Sequence, residues 1–122
     1  MNSEVTELEN TLKEQQKSVQ VLEAFQRLSE TPDWKLIIED LYFVGEPQRI
    51  ADCMADPHLM AYRERFAERM TSIGDLKVYL RTLIQYGQEA VERIPETEQL
   101  LEQARIRAEN VEQQSDQPKW ED

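Results

Sequence analysis

Between Leu59 and Val91 apolar residues return every three or four positions, at Leu59, Tyr62, Phe66, Met70, Ile73, Leu76, Leu80, Leu83, Gly87 and Val91. That alternation is the footprint of one helix face, and its persistence over 33 residues predicts a single long helix over 58–94. Gly74 costs about 1 kcal/mol relative to alanine in a helix interior, which leaves open a bend or split between Thr71 and Asp75. Gly87 predicts a close helix crossing. With only 3 glycines in 122 residues, a turn-rich β protein is excluded and the fold class is all-α.

A second stripe lies at the start of the chain. Val5, Leu8, Leu12, Val19 and Leu22 keep the spacing of a narrow coiled-coil seam, with Gln15 in a slot that calls for an apolar residue. This pattern predicts a coiled-coil-like helix over 4–30; the residues leave open whether its covering helix belongs to the same chain or to another. Thr31-Pro32-Asp33-Trp34 opens a new helix: threonine caps, proline needs no amide partner at the first position, and aspartate suits the positive end. That helix is apolar around more than half its circumference, and Trp34, Ile37, Ile38, Leu41, Tyr42 and Val44 make it the best core candidate. Gly45 is expected to end it in a left-handed turn. Glu46-Pro47 then opens a short helix with Ile50, Ala51 and Met54 inward, and Asp56-Pro57 closes it.

Pro95 is expected to kink or end the long helix, leaving a weakly amphipathic helix over 95–112 on Leu100 or Leu101, Ala104, Ala108 and Val111. Residues 113–122 are polar and unpatterned and read as a flexible tail carrying Trp120. The expected architecture is one domain over 1–112, an elongated helical bundle. Its first and long helices pair as a hairpin, and residues 31–57 form a compact elbow between them.

The chain carries a net charge of −11, which repels nucleic-acid phosphates, so no direct nucleic-acid partner is expected. The charge is uneven: −3 over 1–30, −4 over 31–56, +1 over 57–94 and −5 over 95–122. No window approaches the roughly 18 apolar residues of a membrane span, and residues 1–11 do not resemble a secretion leader. One cysteine precludes an internal disulfide.

Candidate chemistry is sparse. Cys53 and His58, with Asp52 and Asp56, fall short of the four well-spaced ligands of a structural zinc site, so no metal is expected. Cys53 reads better as a small buried hydrophobe. Gly45, Gly74 and Gly87 stand far apart and build no phosphate loop. Glu39 and Asp40, adjacent on a helix, diverge and cannot flank a substrate together. The reading is a non-enzymatic chain with no cofactor. Its candidate contacts are the seam Val5, Leu8, Leu12, Val19 and Leu22, the basic pair Arg65 and Arg69 on one helix face, and Trp120 as a terminal aromatic anchor. Glu64 and Glu68 interleave with those arginines, and the chain's acidic ends are equally available partners.

Pro32-Asp33-Trp34 leading into Leu41-Tyr42-Phe43, then Arg49-Ile50-Ala51, Ala55-Asp56-Pro57 and Ser72-Ile73-Gly74-Asp75-Leu76 with Tyr79, Ile84 and Gly87, resembles small helical proteins of tailed bacteriophages. Those proteins tend to be encoded among virion-assembly genes, and the likeness covers roughly residues 20–100. It departs at Glu46-Pro47 and brings no catalytic motif. What it implies is a virion-associated or assembly-assisting protein, located in the host cytoplasm during infection or in the virion. Its partners would be further copies of itself and a larger phage structural protein. The alternative is a small acidic phage inhibitor that fills a basic groove of a host defence or nucleic-acid enzyme.

Overall fold

The computed structural model describes residues 3–115. Every element among them is helical: α1 (Ser3–Ser29), a single turn α2 (Pro32–Trp34), a π-helix (Lys35–Gly45), α3 (Glu46–Ala55), a 3-10 segment (Pro57–Tyr62) and α4 (Arg63–Ser115). The protein is all-α. Contacts gather in two compact units, one from Val21–Gln85 and one from the described parts of Met1–Gln20 and Tyr86–Asp122.

In the Val21–Gln85 unit the start signal at Thr31 acts as its chemistry requires. The Trp34 amide donates to Thr31 Oγ1 at 3.2 Å and Pro32 occupies the first turn. The next stretch differs from the expected α-helix. Lys35–Gly45 is a π-helix of 11 residues, bonded five residues back, as in the Glu46 amide to the Leu41 carbonyl. Pro47 follows directly in the first turn of α3, where its missing amide costs nothing. Gly45 is no left-handed stop: at φ −65° and ψ −46° it is helical, and the chain runs unbroken into α3. A Cβ there would stand 3.2 Å from the Asp40 carbonyl oxygen, a tight contact that glycine avoids.

The wider turn also redistributes the apolar residues. Ile37, Leu41 and Val44, expected in the core, are 56%, 57% and 64% exposed, while Trp34, Ile38, Tyr42 and Phe43 are half-buried. Burial in this unit rests instead on Ile50, at 0% exposure, with Leu22 and Ile73. Ala51 faces outward and Met54 is half-buried. Asp56 turns the chain, its carboxylate accepting from the His58 amide at 2.9 Å, and Arg63 Nε–H donates to the Met54 carbonyl at 3.2 Å. The helix expected from residue 58 therefore begins as a 3-10 segment and becomes α4 at Arg63.

In the other unit the start of α1 runs antiparallel to the end of α4. Arg107 reaches Glu4 at 2.6 Å and Arg105 reaches Glu9 at 3.4 Å, so residue numbers fall along one helix as they rise along the other. The α4 seam is small-sided: Gly87, Ala90, Thr97, Leu101 and Ala104 are all buried. Small residues let two helix backbones approach, and Val5, Leu8, Leu12 and Val19 on α1 are correspondingly half-buried. Val91, which the stripe was expected to include, is 53% exposed, and Val111 is 64% exposed.

α4 is one helix of 53 residues that passes through Pro95. Proline deletes a single amide donor, and Val91, four residues earlier, whose carbonyl loses that bond, is an exposed residue. Gly74 causes no break, and the helix continues to Ser115, so residues 113–115 belong to α4 rather than to a tail.

Candidate protein-interaction site

A surface that offers chemistry would gather polar or titratable groups in a cleft; here the exposed groups that stand out are apolar. Leu36, Ile37, Leu41 and Val44 are 55% to 64% exposed on successive turns of one 11-residue π-helix. Single exposed leucines are ordinary, but several large aliphatic side chains on one short helix form a surface that water covers poorly and a partner covers well. π-helical turns are uncommon and frequently fall at functional sites.

The same unit holds an open groove with aromatic walls. The rings of Phe25, Trp34 and Phe43 meet two aliphatic side chains of α4 around a space of about 290 Å³. Phe25 and Trp34 pack edge to face, centroids 5.6 Å apart and planes at 89°. The lining also carries Lys77, Arg81 and Glu39. Lys77 Nζ stands 5.2 Å above the centre of the Phe43 ring, a cation held against an aromatic face.

Electrostatics in this unit centre on α3. Arg49 holds the Glu46 carboxylate below its ordinary value chiefly through their hydrogen bonds and then its charge, with a smaller contribution from Arg69 and against the opposing effect of desolvation. The same pairing raises the Arg49 guanidinium.

The seam residues proposed for contact lie within the chain's own packing. Leu22 is buried, and Val5, Leu8, Leu12 and Val19 are half-buried. Val5 lines a space shared with Arg105 and Ala108, and Leu12 one shared with Glu98 and Glu102, so α4 of the same chain covers this stretch of α1. Arg65 and Arg69 are exposed on α4, Arg69 acting on Glu46. Trp120 lies outside the described residues. Cys53 is half-buried rather than fully buried, and His58 is exposed. Among the described residues no group of three or more His, Cys, Asp or Glu gathers as metal ligands would, and no helix is long and apolar enough to cross a membrane.

Leu36 and the outward placement of Ile37, Leu41 and Val44 escaped sequence reasoning. The available signal was the apolar circumference of Lys35–Gly45, which exceeds what one packing face consumes. No protein family, curated protein or solved structure matches the chain.

Proposed function

We propose that this chain is a non-enzymatic interaction protein that binds a larger structural protein through the exposed aliphatic face of its π-helix. The exposure of Leu36, Ile37, Leu41 and Val44 carries the reading. These side chains lose contact with water only if another protein covers them, at roughly 25 cal/mol per Å² of apolar surface removed. Resemblance to phage proteins encoded among virion-assembly genes supplies the setting: a tailed phage, with the partner a portal, capsid or tail component. The acidic-inhibitor alternative is less well supported, because acids that would form a dense anionic array are interleaved with arginines, as in Glu46–Arg49, Glu9–Arg105 and Glu4–Arg107.

Affinity capture of the tagged chain from infected cells, in low and in high salt, tests the assignment. An apolar contact keeps its virion partner in both, since salt screens charges and not buried aliphatic surface. Recovery of one host enzyme, lost at high salt, contradicts it and moves the site to the acidic ends.

A further inference from the structure

We infer that the open groove of the Val21–Gln85 unit is a docking site for an acidic peptide segment of another protein, one that anchors on a large aromatic side chain and carries carboxylates beside it. The site is separate from the binding face proposed above, because none of Leu36, Ile37, Leu41 and Val44 lines it. Its walls are apolar: Phe25, Trp34 and Phe43 are each half-buried and leave part of their surface to solvent. On α4 the lining residues Lys77, Leu80, Arg81 and Ile84 are spaced i, i+3, i+4 and i+7, so two cations and two aliphatic side chains share one helix face. An apolar group resting on Leu80 and Ile84 therefore has an ammonium and a guanidinium at its side.

Charge decides the class of occupant. Among the described residues the ion pairs belong to Arg49, Arg105 and Arg107, and neither Lys77 nor Arg81 has a carboxylate partner. Lys77 Nζ stands instead 5.2 Å from the centre of the Phe43 ring. Glu39 is the single carboxylate of the lining, so the groove sets two cations against one anion in a chain whose net charge is −11. At physiological salt the acids elsewhere are screened beyond about 8 Å, and the groove's own charges govern what sits in it. Size decides that the occupant is one side chain of a larger molecule. A space of about 290 Å³ falls just below the roughly 300 Å³ at which clefts for whole small ligands begin, and an open groove does not enclose a free ligand as such clefts do. A cavity of about 150 Å³ holds benzene, so there is room for a one-ring or two-ring anchor whose backbone stays outside, the kind of residue in which binding hot spots are enriched. Single-stranded nucleic acid also joins ring to anion, but its grooves track the backbone with positive charge along their length, and this one offers two cations.

Fluorescence anisotropy of labelled peptides on the full chain tests this. Asp-Glu-Trp-Glu-Asp is expected to bind at least about tenfold tighter than either Asp-Glu-Ala-Glu-Asp or Lys-Lys-Trp-Lys-Lys. Non-specific attraction to a chain of net charge −11 gives the opposite order for acid and base. Lys77→Glu/Arg81→Glu, at two exposed positions, should lose the acidic peptide at least about tenfold and favour the basic one, with circular dichroism checking helix content. Glu39→Gln should tighten the acidic peptide about twofold. Ile37→Ser/Leu41→Ser should bind it like wild type, so loss of the virion partner and loss of this contact are separately readable. The inference is overturned by an acidic peptide that does not bind at about 1 mM, by an alanine or basic peptide that binds as tightly, or by its displacement by an equal concentration of oligothymidylate. A folded charge-reversed variant that still binds it, or a Glu39→Gln variant that binds it more weakly, has the same consequence. If charge reversal costs helix content, the order of the peptides on the wild-type chain and the Glu39→Gln result decide.

Discussion

The Arg49 guanidinium holds the Glu46 carboxylate with two parallel hydrogen bonds, Nε–H to Oε1 at 2.9 Å and Nη2–H to Oε2 at 2.8 Å, three residues apart on α3. This is the fork geometry in which arginine and carboxylate bond best, and it stands where the π-helix gives way to α3.

Because the Glu46 carboxyl is held below its ordinary value in the folded chain, the unfolded chain binds its proton first as pH falls. The pair therefore contributes stability above the ordinary glutamate value, and the contribution is lost as pH drops through the lowered folded value. Glu46→Gln should melt below wild type at neutral pH, with the gap closing as pH falls through the carboxylate range. A gap independent of pH, in thermal melts across that range, would remove the ion pair as its cause.

Ile50 and Ile37 are a matched pair for testing the core. Ile50 is 0% exposed and Ile37 56%. Ile50→Ala should cost about 2–5 kcal/mol in urea unfolding, through lost burial and the cavity left behind. Ile37→Ala should stay within about 0.5 kcal/mol, as exposed positions do. Equal losses would mean that the π-helix face is packed after all.

The small-sided seam of α4 makes the opposite prediction. Ala104, at 0% exposure, faces a helix with no room for more atoms, and Ala104→Leu should destabilise by about 1–3 kcal/mol. A neutral result in chemical denaturation would show that the helices of this unit are further apart than their buried alanine requires.

Gln15 is the polar residue of the facing seam, and its Oε1 is buried with no hydrogen-bond partner. It lines a space that it shares with Ala90 and Arg93 of α4. Such a residue specifies alignment at a cost in stability. Gln15→Leu is expected to raise the unfolding midpoint, by an amount equivalent to about 1–3 kcal/mol, by removing the unmet acceptor. A lowered midpoint would show that the amide contributes favourably.

Much of the fold was legible because it depends on local pattern. The stripe through Leu8, Leu12 and Val19, the cap at Thr31 and the three-four run through Phe66, Ile73 and Leu80 each state a helix in residues that neighbour one another, and together they give the all-α class. Two departures fall at prolines. Pro95 reads as a stop by propensity, yet a helix packed along its length absorbs one missing hydrogen bond. Pro47 does stand in the first turn of α3, yet the chain enters it from a π-helix without a break, a change of hydrogen-bond register that leaves no mark in residue spacing. That register decided the candidate site. Trp34, Ile38 and Phe43 turned inward while Ile37, Leu41 and Val44 turned out, a division that an α-helical wheel does not draw. Polar Thr97 and small Ala90 were passed over in the α4 seam for the same reason that Val91 was favoured: apolar size marks a core position in sequence, whereas closeness of backbones is set by the partner helix.

Photo-crosslinking during infection tests the central claim most directly, with a benzophenone side chain placed either at Leu41 on the π-helix or at Lys17 on the exposed side of α1. The expected result is a discrete crosslinked species from position 41 containing one virion structural protein, with none from position 17. No species from position 41, or the same species from both positions, would contradict the assignment of the Lys35–Gly45 face as the binding surface.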